Sequence, residues 1–188
     1  MMRLFYGLSL PDAIRAEAER AARQAEARIP GRYGISSNYH ITLAFLGEVP
    51  PERLGDAQAI LAAHAARTPA PTISLQAVDF FGRAENAILI LRAQSIPSFT
   101  ALHDALVADA QTNGLPVDPG PFAPHITLAR HAQTTPEALA AVRVSPLSFA
   151  PKAAHLFLSA RDESNILRYT PLFTADFAPF VSPRRLVY

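Results

Sequence analysis

The residues His40-Ile41-Thr42-Leu43-Ala44 recur, unchanged, as His125-Ile126-Thr127-Leu128-Ala129 in a chain of 188. A histidine titrates near neutral pH, so of two imidazoles one can be neutral while the other carries a proton. The neutral ring can take a proton from an attacking water or hydroxyl. The charged ring can protonate a leaving oxygen. Each such transfer typically contributes about 100- to 10,000-fold. The hydroxyls of Thr42 and Thr127 can donate to the non-bridging oxygens of a phosphate and hold them in place. Two imidazoles and two hydroxyls therefore make a coherent phosphoryl site that calls for no metal. A single His-x-Thr is an ordinary strand tripeptide. A duplicated strand that merely kept its packing residues explains Ile, Leu and Ala, but not two polar residues on the opposite face.

The elements around each copy must place His and Thr on one side. Strand side chains alternate faces, so Ile41 and Leu43 can enter a core while His40 and Thr42 face a cleft, and the same holds around His125 and Thr127. Both copies head the same order. After His40 come a helix start at PPERL, a strand, the turn GRAEN and the strand AILIL. After His125 come a helix start at TPEAL, a strand, the turn ARDESN and the strand ILRYTPL. Two long copies predict one duplicated domain over residues 1–188, built of two pseudo-symmetric lobes, with one His-x-Thr each at 40–42 and 125–127. Elsewhere the pattern predicts a strand from Arg3 to Leu10 and a helix from Pro11 to Arg28. It also predicts a loop over 29–38, a helix from Pro97 to Thr112 and a Pro-rich loop, LPVDPGPFAP, before His125. The Pro-containing tail from Ala178 reads as irregular.

Composition removes several classes of function. There are no cysteines, hence no disulfides, thiol nucleophiles or Cys-based zinc sites. Hydrophobic residues make up 49%, enough for a packed core rather than disorder. No apolar run approaches the roughly 20 residues that span a bilayer, and the opening MMRLFYGLSLPDAIRAEAER lacks the cleavage pattern of a signal peptide. The expectation is a cytoplasmic monomer, since one chain supplies both histidines. A net charge of +1 speaks against a broad nucleic-acid-coating surface but leaves room for a local basic pocket. Sixteen of the seventeen basic residues are arginine, the type suited to bidentate phosphate recognition. His64 and His103 fall in helical patterns and read as surface residues. His155 lacks a Thr two positions on, and His131 could reach only the cleft mouth. No HExxH, P-loop, GxGxxG or GxSxG occurs, so neither a metal nor another cofactor is expected.

The longer contexts RLFYGLSLP, YHITLAFLGEV and PFAPHITLAR resemble the RNA 2′,3′-cyclic phosphodiesterases, also named 2′-5′ RNA ligases, of the 2H phosphoesterase superfamily. The likeness runs through LFLSARDESNILRYTPL, nearly the whole chain. It implies an α+β bilobal fold in which two antiparallel sheets flank a central groove, with helices outside. It implies metal-independent hydrolysis of an RNA-terminal 2′,3′-cyclic phosphate to a 2′-phosphate. His40 would be the general acid toward the 3′ oxygen, and His125 the base that activates water. It also implies that Phe45 and Arg130, each five residues after its histidine, contact the terminal nucleobase and phosphate. Strict alternation puts both on the wrong face, so a bulge or a strand end must intervene if both touch ligand; otherwise Phe45 is a core residue and Arg130 a solvated strand-end charge. The chain departs from the family pattern at Tyr39, often leucine, at Tyr33, often tryptophan, and in a tail without tryptophan. These departures touch substrate preference, not reaction class.

Other readings use the same residues. Ligation of tRNA halves through a 2′-5′ linkage is the same chemistry reversed. A phosphoesterase for a small cyclic nucleotide fits the low net charge. A non-catalytic RNA-end binding module would not need two titratable groups. A steep loss of affinity with salt would mark a long RNA footprint, and a shallow one a small ligand.

Overall fold

Strand β1 (Met2–Ser9) is buried from Leu4 to Leu8 on both faces, the pattern of a central strand. In the computed structural model, which describes residues 1–94 and 96–179, it is flanked by two partners. One is β3 (His40–Val49), the other β8 (Ala153–Arg161), which pairs in turn with β9 (Leu167–Asp176). The second sheet is built from β2 (Arg32–Tyr33), β4 (Ile73–Arg83), β5 (Asn86–Ala93), β6 (His125–Ala132) and β7 (Ser148–Phe149), in the order β2-β6-β5-β4-β7. Every ladder in both sheets is antiparallel. This is the α+β class with two antiparallel sheets that the family resemblance implied.

The two halves of the chain cross over. The β4–β5 hairpin follows β3 in sequence but joins the sheet of β6. The β8–β9 hairpin follows β6 but joins the sheet of β3 through β1. Each histidine strand thus shares a sheet with the hairpin that follows the other.

Helix α1 (Asp12–Glu26) buries Ile14, Ala18, Ala21, Ala22 and Ala25, a helical stripe narrow enough to sit close to a sheet. Helix α2 (Leu54–Ala65) starts after a 3-10 turn at Pro51–Arg53 and packs against α3 (Pro97–Thr112), β8 and β9. Helix α3 runs over the predicted span and also packs on β3. Helix α4 (Pro136–Ala140) is capped by the Thr135 hydroxyl, which accepts from the Ala138 amide at 3.2 Å. One hydrophobic cluster runs through both sheets.

Three short elements depart from the sequence reading, among them β7, which it does not predict. Residues 29–38 hold β2 and a 3-10 turn at Ser36–Asn38 rather than loop alone. Pairing with Arg130 and Ala129 organises β2, and no local pattern of two residues could signal it. Of the tail expected to be irregular from Ala178, Ala178 forms a bridge with Pro69, and the part beyond Pro179 lies outside the described residues.

Candidate active site

Ile41 and Leu43 are 0% and 1% exposed, and Ile126 and Leu128 are both 0%. Burying each such side chain contributes roughly 1.5–3 kcal/mol, which pins the register of both strands. His40, Thr42, His125 and Thr127 are partly exposed on the opposite face. Both strands then break phase at the same place. Gly7 pairs with Thr42 and Tyr6 with Ala44, which leaves Leu43 as an extra residue. Ile90 pairs with Thr127 and Leu89 with Ala129, which leaves Leu128 extra. These matched bulges return Phe45 and Arg130 to the face of their histidines. All six candidate residues line one cavity of about 760 Å³, fed by β1, β2, β3, β6, β8 and β9.

The histidines are held alike. His40 Nδ1 donates to the Asn38 carbonyl at 2.7 Å, and His125 Nδ1 donates to the Ala123 carbonyl at 2.6 Å. A carbonyl only accepts, so Nδ1 carries the hydrogen in both rings, and Nε2 is left for chemistry. The Asn38 amide is itself tied to the Leu167 carbonyl of β9 at 2.7 Å. His40 Nε2 lies 3.0 Å from the Thr42 hydroxyl, which donates to it while the ring is neutral. Phe5 and Tyr169 rings stand 4.8 Å from the His40 ring, and Phe81 stands edge-on 4.9 Å from His125.

This apolar packing sets the electrostatics. Loss of water pushes the His40 pKa down to about 4, only partly offset by the Asn38 carbonyl and helped by the nearby His125 and Arg130. Burial lowers His125 as well, with Arg92 and Arg130 adding to it. Both rings are therefore neutral at pH 7 in the free protein. Acid stability follows from the sign of this shift. An unfolded chain takes up the His40 proton near pH 6.5, and the folded one only near 4. Stability is full above 6.5 and falls as pH drops toward 4, by about 3 kcal/mol from His40 at 1.36 kcal/mol per unit. Urea unfolding of His40→Gln between pH 7 and pH 4 is expected to show a smaller loss than wild type. Equal losses would mean that folded His40 titrates normally.

The cavity wall is basic and, among the described residues, contains no carboxylate. Arg3, Arg32, Arg130 and Arg161 all line it, and none pairs with an acid among the described residues. Arg32 and Arg130 face each other across the β2–β6 ladder, where like charges are unfavourable without an anion between them. The Arg3 guanidinium sits 5.0 Å over the Phe45 ring. Arg3, Arg32, Arg161 and Tyr169 are not singled out by the sequence. They come from separate elements; the arginine bias hints at the three arginines, and nothing hints at Tyr169.

The remaining histidines stand apart from the cavity. His131, at φ 52, bonds Asn86 and does not line it. His155 lies 3.0 Å from the Thr174 hydroxyl, its cross-strand partner. His64, expected at the surface, is partly buried against Asp109 at 2.7 Å. His103 is a clearer correction: it is 8% exposed and donates to the Leu43 carbonyl at 2.6 Å. Among the described residues no group of three or more His, Asp or Glu could hold a metal ion, and no helix is long and apolar enough to cross a membrane.

Comparison with known proteins places these features in a lineage. The model of the 2′-5′ RNA ligase superfamily matches residues 10–163. An RNA 2′,3′-cyclic phosphodiesterase of Geobacillus stearothermophilus is 32% identical over 149 residues, 74% of this chain and 47% of that protein. The chain thus spans about half the length of that relative. The RNA 2′,3′-cyclic phosphodiesterase of Escherichia coli K12 is 32% identical over 177 residues, 90% of this chain and 93% of the relative. Among solved structures, TT0787 of Thermus thermophilus superposes with a TM-score of 0.76 at 26% identity, covering 95% of this chain and 99% of that one. Escherichia coli LigT complexed with 3′-AMP gives 0.73 at 28%, covering 94% and 98%.

Proposed function

The chain belongs to the 2′-5′ RNA ligase superfamily, and from that premise we propose that it hydrolyses an RNA-terminal 2′,3′-cyclic phosphate to a 2′-phosphate. One observation carries the reading: two histidines, each fixed through Nδ1 to a backbone carbonyl, line one cavity whose wall, among the described residues, holds four arginines and no carboxylate. In the reaction His125 Nε2 takes a proton from water as the water oxygen attacks phosphorus. The bond from phosphorus to the 3′ oxygen breaks, and His40 Nε2 delivers a proton to that oxygen. The 2′ ester remains. This division of roles follows the family assignment. Thr42, Thr127 and Arg130 hold the non-bridging oxygens where charge grows in the transition state. Phe45 offers its ring to the terminal base, with Arg3 over the ring. The two rings supply both proton transfers, so the scheme needs no Lewis acid, and one chain carries the whole site.

A short RNA ending in a 2′,3′-cyclic phosphate, incubated with wild type and His125→Ala in the presence of chelator, tests this directly. The expected product end is a 2′-phosphate, formed by wild type alone. A 3′-phosphate would reverse the roles of the ester oxygens. Inhibition by chelator would require a metal. Binding without turnover would move the reading to an RNA-end binder. The same residues serve 2′-5′ ligation in reverse. A small-nucleotide substrate also has support, since the relative LigT was crystallised with 3′-AMP.

A further inference from the structure

A bulge leaves a carbonyl out of its ladder, and a buried carbonyl needs a donor. The two bulges beside the histidines solve this differently. At Leu128 the donor is backbone: the Gly34 amide reaches the carbonyl at 2.9 Å. At Leu43 it is a side chain, His103 Nδ1, at 2.6 Å. His103 lies outside the cavity, buried on α3. Its ring also stacks on Phe122, centroids 4.7 Å apart and planes within 16°. Phe122 stands edge-on to Phe99 at 4.8 Å and immediately precedes Ala123, the residue whose carbonyl takes the His125 Nδ1 hydrogen. The loop over residues 115–124 reaches back to the first motif too, where the Asp118 amide donates to the Phe45 carbonyl at 3.0 Å.

We infer that His103 is a positioning residue that holds the two halves of the site together. Its donated bond fixes the Leu43 bulge that turns Phe45 into the cavity. Its stack on Phe122 fixes the loop whose Ala123 carbonyl orients His125. The consequence for binding rests on the reading of the cavity as a nucleotide site. The consequence for His125 does not.

Two substitutions separate the links. His103→Phe keeps a ring for Phe122 but has no donor for Leu43. His103→Asn keeps a donor near Nδ1 and loses the ring. Leu106→Ala, buried on the same helix, controls for destabilisation alone. Each full-length protein is assayed by thermal unfolding, by NMR titration of the His40 and His125 imidazoles, and by calorimetric binding of a nucleoside 2′-phosphate. His103→Phe is expected to bind the nucleotide about tenfold more weakly, a partial loss of base stacking, with the His125 midpoint unchanged. His103→Asn is expected to lower the His125 midpoint further, because the Ala123 carbonyl is what raises it. Wild-type affinity and midpoints in both variants, with only the melting temperature reduced as in Leu106→Ala, would overturn the inference. If the wild type binds no nucleotide, the functional reading fails, and the His125 titration still decides the role of His103.

Discussion

Alanine at His40 or at His125 is expected to cut turnover of an RNA 2′,3′-cyclic phosphate by about 100-fold or more, with the fold retained. In the proposed reaction each ring handles one proton in the transition state, and such a transfer is worth about 100- to 10,000-fold. Neither ring is a core residue: both are partly exposed, and the strands are anchored by Ile41, Leu43, Ile126 and Leu128 on the other face. Removing an imidazole therefore costs chemistry much more than packing. The double variant is expected to lose far less than the product of the two single losses. Attack and departure occur around one phosphorus, so once one proton transfer is missing the other gains little. What survives is binding and charge stabilisation by the arginine-lined wall. The measurement is initial rate under saturating substrate for the four proteins, with circular dichroism to check the fold. Losses that multiply would show two independent roles. A single variant within a few-fold of wild type would remove that histidine from the reaction.

How far the site can be read without the fold depends on the kind of signal. The HITLA pair carries chemistry and alternation together, so His40, Thr42, His125 and Thr127 are legible as two faces of two strands. A break in alternation is legible too, as a contradiction: Phe45 and Arg130 stand five residues from their histidines, an odd spacing that an unbroken strand sends to the wrong side, and either a bulge or a strand end could cure it. Leu43 and Leu128 resolve it by the same extra residue. His103 is readable but easily misread as a surface residue. The buried positions of α3 are Phe99, Leu102, His103, Leu106, Val107 and Ala110, so His103 sits on the apolar stripe. A polar residue on such a stripe asks for a partner, and the partner lies in β3, sixty positions away. Arg3, Arg32 and Arg161 cannot be found this way. Each is an exposed charge on its own element, and only the exchange of hairpins between the sheets brings them to one wall.

The same wall shapes the pH dependence, where the second large effect is expected. The proposed acid, His40, has its pKa pushed down to about 4, so roughly one free molecule in a thousand carries that proton at pH 7. The proton must arrive with the substrate. A phosphate anion held between the rings favours the imidazolium form and reverses the desolvation that lowered it. kcat/KM reports the free protein, where both histidines are lowered, so its bell is expected to peak on the acid side of 6.5. kcat reports the complex, so its bell is expected at distinctly higher pH. The two limbs belong to the coupled pair rather than to single residues. Calorimetry in buffers of different ionisation enthalpy gives an independent reading. Binding of a nucleoside 2′-phosphate near pH 7 is expected to take up close to one proton in wild type, and much less in His40→Gln. Coincident kcat and kcat/KM profiles with no proton uptake would mean that His40 enters the complex neutral. The leaving oxygen would then have to find its proton elsewhere.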